Sequence, residues 1–380
     1  MFVEQQIFKD ELWKKVHSDS GFEHSDCSLV LVFGEKAMIK HPIVFSYLKG
    51  QYPKADIVFS STSGEILGEH VYDNSISVTA IVLEKTEMKS VVANIKETGD
   101  SYATGLQIMK QLYREDLVSV LVFSDGNYVN GSELVAGLNK DNAKKVPVTG
   151  GLAGDGYQFK TTLTGLNSVP DEGNVIGIGF YGDNLIVGHG SVGGWDEFGH
   201  ERMITKSDKN VLYEINGKSA LSLYKEYLGD YVNGLPGSAL LFPLSLKMDE
   251  SDGVLVRTIL ALDEENDSMT FAGNMPEGSK VRLMKANFDR IITASSSAAQ
   301  NSFFKEGAYK PDLAILISCV GRKLILQQRI NEEVEAAKEI LGDNVPICGF
   351  YSYGELSPLK QHANCELHNQ TMTILTMTEK

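Results

Sequence analysis

The sequence predicts an α/β fold: two domains with mixed β-sheets built from repeated strand-helix-strand units. One pattern occurs three times: an apolar run, small or hydroxylated residues, then a glycine followed by an acid. It stands at 57–66 (IVFSSTSGEI), 146–155 (VPVTGGLAGD) and 345–355 (VPICGFYSYGE). A second apolar run precedes each copy, at 28–33 (SLVLVF), 119–123 (SVLVF) and 313–318 (LAILIS). Phe33 and Gly64 are 31 positions apart, as are Phe123 and Gly154, which marks an internal duplication. At 380 residues the chain exceeds one typical core, so two domains are expected, 1–200 and 201–380.

From the amino terminus, 1–26 reads as a short helix and a polar lead-in, and 28–33 as a buried strand. A helix over 42–52 puts Val44, Phe45, Tyr47 and Leu48 on its apolar side. The strand 56–59 runs into Ser60-Ser61-Thr62-Ser63-Gly64-Glu65. The β-branched run 75–83 (SISVTAIVL) is a strand, and 88–114 is largely helical, with Leu106, Met109 and Leu112 or Tyr113 at helical spacing. In the second unit, 119–123 is a strand turned by Ser124-Asp125-Gly126-Asn127, 131–138 a short helix, and 146–149 a strand leading into glycines. The runs 175–181 and 185–190 flank Gly182-Asp183-Asn184 as a hairpin-like turn.

The glycine-rich stretch 191–202 closes the first half. A helix over 220–228 follows Asn216-Gly217-Lys218-Ser219 and stops at Gly229. Strands are expected at 239–246 and 281–285, a hairpin from 253–262 and 269–273, and a helix over 288–304. The third unit has the clearest helix, with Leu326, Ile330, Val334, Ala337 and Leu341 on one face and Gly342 at its end. The last strand is 371–377.

A hydrophobic content of 42% and a charged content of 22% are those of a soluble globular protein. The net charge of −15 argues against a nucleic-acid partner, which wants a basic patch. Cys27, Cys319, Cys348 and Cys365 form no CxxC pair, so no metal or redox framework is expected, and Cys319 and Cys348 read as buried thiols. The amphipathic start lacks a signal-peptide core and no apolar run reaches the length of a membrane span. A cytoplasmic protein without membrane insertion is expected.

The formal GxGxxG at 177–182 leads into a strand rather than opening a helix, so its glycines read as a close-packed crossing and not a dinucleotide loop. His189-Gly190-Ser191-Val192-Gly193 and the 349–354 segment each miss GxSxG by one position. None of the eight histidines (His17, His24, His41, His70, His189, His200, His362, His368) shows tight metal-ligand spacing, though one could serve as an axial haem ligand. With no nucleophile, base or metal constellation, no catalytic residue is assigned and no enzyme is expected. Parallel strands in each unit would bring their C-terminal ends to one edge, where open α/β sheets bind ligands. The expected ligand-binding residues are therefore Thr149, Gly150, Gly151, Asp155, Arg322, Tyr351, Ser352, Tyr353, Gly354 and Glu355. The competing reading is that Gly-acid is turn chemistry repeated with its unit, and that Arg322 forms an ordinary salt bridge.

The segments LVFSDGNYVNGSEL (121–134), VTGGLAGDG (148–156), SCVGRK (318–323) and GFYSYGELSP (349–358) resemble the FIST sensory domain. GWDEFG (194–199), NVLYEINGKSALSLYKEYLG (210–229), FAGNMPEGSKVRL (271–283) and HNQTMTIL (368–375) continue the resemblance in order. It departs at Ser219, where the family usually has proline, at a helix start. The resemblance implies an intracellular signal-input module that binds a small ligand, with amino acids the usual suggestion. On that reading Glu355 and Asp155 would meet an ammonium group and Arg322 a carboxylate, while Thr149, Ser352, Tyr351 and Tyr353 would hydrogen-bond or stack. It further implies signalling through a separate partner: a histidine kinase, a chemoreceptor, or a diguanylate cyclase or phosphodiesterase. A branch of similar free-standing proteins binds haem and senses nitric oxide, which is the competing expectation.

Overall fold

The computed structural model describes residues 1–235, 237–248, 253–303 and 310–380. Within them lie three six-stranded sheets and one eight-stranded sheet. The six-stranded sheets repeat one design around a parallel pair. The pairs are Leu29–Gly34 with Asp56–Ser61, Leu117–Ser124 with Val148–Leu152, and Leu313–Cys319 with Ile347–Ser352. Beside the first strand of each pair runs an antiparallel one: Ile76–Val82, Asn174–Tyr181 or Met372–Glu379. Beyond it lies Phe2–Lys9, Glu87–Asn94 or Leu185–Val192. The central strands are covered on both faces, which is why they read as unbroken apolar runs.

After each Gly-acid turn the chain leaves its own sheet. Glu65–Leu67 and His70–Tyr72, from the first unit, extend the third unit's sheet beside Ile347–Ser352. Thr164–Leu166, from the second, extends the first beside Asp56–Ser61. Gly354–Pro358 and Cys365–His368, from the third, extend the second beside Val148–Leu152. The three sheets thus hand strands round a closed ring. At its centre Phe33, Phe123 and Phe350 meet, with ring centroids 5.5, 4.8 and 6.0 Å apart. The third unit begins at Leu185–Val192, so its sheet draws on both sides of residue 200. The eight-stranded sheet, from Asp196–Asp208 to Lys280–Lys285, is inserted between that strand and Leu313–Cys319.

Several elements differ from expectation. The amino terminus is not helical: Phe2–Lys9 and Leu12–Ser18 form a hairpin. Val3 and Ile7 are buried at even spacing, and Asp10 and Glu11 adopt positive φ at the turn. The span 88–114 holds the strand Glu87–Asn94 before the helix Ser101–Leu112, because Val91 and Ala93 alternate inward. The runs around Gly182 are strands, but they belong to different sheets and form no hairpin. A 3-10 turn, Gly237–Leu241, replaces the first part of the 239–246 strand; the strand itself is Leu244–Lys247. The third unit's helix is broken at Gln327, whose φ is +49°. The helix expected over 288–304 is Phe288–Asn301, and Phe304 lies outside the described residues. Of the hairpin expected from 253–262 and 269–273, Ile259–Asp263 pairs with Ser268–Phe271, while Leu255–Arg257 is a separate strand beside Leu244–Lys247; the helix Ala220–Leu228, capped by Ser219, matches expectation. The GxGxxG glycines sit in a strand, where a Cβ on Gly177 would lie 2.5 Å from Ile108 of the Ser101–Leu112 helix.

Candidate functional site

The three Gly-acid turns pack against one another. Ser63 N–H donates to the Tyr351 carbonyl and Tyr351 N–H to that of Gly64, both at 2.9 Å. Gly154 N–H donates to Ser61 (2.9 Å), and Tyr353 N–H to Leu152 (3.1 Å). Two of the acids turn inward and are held alike. The Thr62 hydroxyl donates to Glu65 (2.6 Å), with Ser75 on its other oxygen. The Ser352 hydroxyl donates to Glu355 (2.7 Å), whose second oxygen accepts from the Thr371 hydroxyl (2.9 Å) and N–H (3.2 Å). Burial pushes the Glu65 carboxyl up to about 7 and that of Glu355 up to about 8.

Glu355 consequently holds a proton across a range where the unfolded chain, near 4.5, has lost it. Its contribution to stability is full below about 4.5 and is lost as pH rises through about 8. The glutamine variant copies the protonated form. Urea titrations at pH 6 and pH 8.5 should therefore show wild type losing on the order of 2 kcal/mol relative to Glu355→Gln. Equal losses in both proteins would show that Glu355 is already ionised when folded.

Asp155 is held differently. Burial pushes its carboxyl up, but hydrogen bonds from the Tyr353 hydroxyl, the Thr161 and Lys160 N–H groups and Lys36 outweigh that and hold it below the usual range. Arg322 is fully buried. Its Nε donates to Glu333 (2.8 Å), and its Nη atoms to the carbonyls of Gly193 and Ile291 (2.7 Å for the latter) and to the Ser295 hydroxyl (3.0 Å). Glu333 also accepts from Ser318 (3.0 Å) and from the Tyr351 hydroxyl (2.6 Å).

A cavity of about 690 Å³ opens past the C-terminal ends of the second and third parallel pairs. Its walls come from both halves of the chain: the 126–130 loop with Leu152 and Phe159, then Asn210, 258–260, Phe271 and Ala272, then 319–321, Tyr353 and Asn369. The loop is shaped by Asp125, which accepts the N–H groups of Asn127 (2.7 Å) and Tyr128 (2.6 Å). The opposing walls are tied where Asn130 donates to Asn274 (3.1 Å) and Arg257 to the carbonyls of Leu367 (2.9 Å) and Asn274 (3.2 Å). Burial brings Arg257 down to about 10, so it stays charged at neutral pH.

Of the ten residues expected at the site, Tyr353 lines this cavity. Asp155 stands one layer behind, gripping the Tyr353 hydroxyl and the Phe159 N–H (2.8 Å). Thr149, Gly150, Gly151, Tyr351, Ser352, Gly354 and Glu355 form the strands and turns beneath, and Arg322 is committed to Glu333. Residue patterns did not single out Asn369 and Thr258. Asn369 is 1% exposed, and neither its amide oxygen nor its amide nitrogen has a hydrogen-bond partner among the described residues; the buried Thr258 hydroxyl likewise has none. A signal was present: the 121–134, 210–229, 318–323 and 368–375 segments that carry the family resemblance supply much of the wall.

Residues 28–218 match the family model described as the FIST N domain, and residues 220–358 that of the FIST C domain. The chain belongs to the FIST family. FIST domains are sensory domains of signalling proteins. An uncharacterized protein of Methanocaldococcus jannaschii is 24% identical to this FIST chain over 355 residues, covering 82% of this chain and 66% of its own length. This chain thus spans a little under two thirds of that relative. Among the described residues of this FIST protein, no helix is long and apolar enough to cross a membrane. For haem, an imidazole would have to reach a cavity that admits a porphyrin. No histidine is among the described residues lining the large cavity, and His189 and His362 line one of about 130 Å³, below the size of ligand pockets generally. Neither of these two cavities pairs a histidine with room for a porphyrin.

Proposed function

We propose that this FIST protein is a cytoplasmic, non-catalytic input module that binds a small ligand in the 690 Å³ cavity and passes the signal to a partner. The observation that carries this reading is Asn369: a buried amide, unpartnered at both ends among the described residues, on the wall of a cavity formed by both halves of the chain. An unsatisfied buried polar group costs stability, so its retention calls for a reason, and a ligand that completes it is one. A ligand that bridges the two walls favours the arrangement in which both contact it, and that preference is what a partner can read. Partners of the kind FIST modules serve are histidine kinases, chemoreceptors, and diguanylate cyclases or phosphodiesterases. Amino acids are the ligand class the family suggests, and a pocket of this size admits them.

Asn369→Leu separates function from stability. Replacing an unpartnered amide by an apolar group of similar volume should raise the Tm of the ligand-free protein. A cognate ligand at a hundred times its Kd should stabilise wild type by about 2.7 kcal/mol and leave the variant unmoved. Thermal-shift scans of the full chain read both effects. A lowered Tm together with an intact ligand shift would place the site elsewhere.

A further inference from the structure

The chemistry of the cavity wall narrows the class of ligand, on the reading that this cavity is the sensory site. The polar residues among its lining are Asn127, Asn130, Asn210, Thr258, Tyr353 and Asn369; the Asn130, Asn210 and Tyr353 side chains already hold protein partners, the Thr258 hydroxyl and the Asn369 amide are buried, and none of its described lining residues is charged. Several charged side chains nearby are turned to other work, and Lys96 stands 5.0 Å over the ring of the lining Tyr128. Asp125 and Asp155 accept backbone N–H groups, Glu133 accepts from the Asn274 amide (2.5 Å), and Arg257 donates to backbone carbonyls. A zwitterion entering this space would exchange its hydration for neutral dipoles without a counter-charge, which is unfavourable.

Two features specify shape. Asn369 carries one acceptor and two donors on a single planar group, and both its ends are unpartnered among the described residues. The complement of a carboxamide is an edge carrying a donor beside an acceptor, the geometry by which asparagine reads a nucleobase. Close by, Tyr353 and Phe159 stack with centroids 4.6 Å apart and planes 18° from parallel, and both line the cavity. Phe159 holds this position at φ +51°, a backbone conformation that a bulky aromatic residue rarely adopts. Asp155 fixes it there through the N–H groups of residues 159–161 and grips the Tyr353 hydroxyl as well. Strain of this kind persists where the surroundings over-determine it, and ligand clamps are a common place for it. An aromatic pair offers a flat ligand a stacking face.

We propose that the cavity takes an uncharged, planar ligand presenting a hydrogen-bond donor beside an acceptor, a nucleobase or a heteroaromatic carboxamide, paired to Asn369 and seated against the Tyr353–Phe159 stack. The contrast that tests this is nicotinamide against nicotinate, rings of one shape that differ in the amide and the charge. Adenine and hypoxanthine represent the nucleobase source, and glutamine and phenylalanine represent zwitterions. Each is titrated into the full-length protein by calorimetry and thermal shift. Nicotinamide or a purine should bind at least tenfold more tightly than nicotinate and either amino acid. Asn369→Leu and Phe159→Ala should each weaken that binding by tenfold or more; Phe159 is 46% exposed, so its variant should fold even if the buried substitution perturbs the protein. Tighter binding of an amino acid or nicotinate, lost in Asn369→Leu, would overturn the ligand class and keep the cavity as the sensory site. Binding of a neutral probe that neither substitution affects, or no binding by any probe, would overturn both.

Discussion

Gly150→Ala and Gly349→Ala each lower the unfolding free energy by at least about 4 kcal/mol, the range reached by large backbone clashes. Both glycines lie in the second strand of a parallel pair, Gly150 opposite Val122 and Gly349 opposite Leu316. A Cβ would come within 1.9 Å of the Val122 carbonyl oxygen at the first site and 1.7 Å of the Leu316 carbonyl oxygen at the second. Neither carbonyl can yield, because each belongs to a buried residue of a central strand, with buried neighbours on either side. At Gly150 the φ of +148° adds a conformation that L-residues avoid. Urea denaturation of the soluble fraction is the measurement. Gly50→Ala is the control: it lies in the helix Pro42–Gln51 with open space around its Cβ, and should gain about 0.5 kcal/mol. Unfolding free energies for the two strand variants within about 1 kcal/mol of wild type would mean that the parallel pairs can separate locally at little cost.

Breaking the Arg322–Glu333 pair has the second-largest expected effect. Both side chains are fully buried, and the guanidinium also serves Gly193, Ile291 and Ser295 while the carboxylate serves Ser318 and Tyr351. Arg322→Met leaves a carboxylate buried beside two hydroxyls, and Glu333→Leu leaves a guanidinium without a counter-charge. Each should cost about 3–5 kcal/mol. The double variant removes both charges and should recover at least half of the summed losses, because an apolar pair does not need rescue from desolvation. Strict additivity in this cycle would show that the two residues act independently. Arg322→Lys is not conservative here, because an ammonium cannot spread donors over so many acceptors in these directions.

Much of the scaffold was legible because burial writes itself plainly: strands covered on both faces must be apolar throughout, and the repeat located the six strands of the parallel pairs. The convergence of the Gly-acid turns followed from the same repeat. The amino-terminal hairpin was harder, since Phe2, Val3, Ile7 and Phe8 fit a helical face as well as a two-sided strand. The split between Tyr181 and Leu185 was hidden for another reason: a short glycine turn looks the same whether the next strand stays or changes sheet. The site was only partly legible. Glycine, acid and arginine attract attention as binding chemistry, yet Glu355 and Arg322 are the groups the fold uses to satisfy its own interior. In the sequence Asn369 stands out only as part of an Asn-Gln-Thr sequon, which does not mark a cavity; its significance lies in partners it lacks among the described residues, and those depend on three dimensions.

The ring of exchanged strands has a bearing on how such a chain comes to be folded during synthesis. Residues 65–72 leave the ribosome early, but the strand they pair with, Ile347–Ser352, is made almost last. Val148–Leu152 likewise waits for Gly354–Pro358. Until then the nascent protein carries unpaired β-edges beside an apolar centre that lacks Phe350, and exposed edges are templates for association with other chains. Contacts so distant in sequence also slow folding, since a long loop must close before any of them form. The price of the closed ring is thus a vulnerable interval, which ends when the carboxy-terminal strands arrive and complete the second and third sheets; the first, made of strands within residues 2–166, does not wait for them.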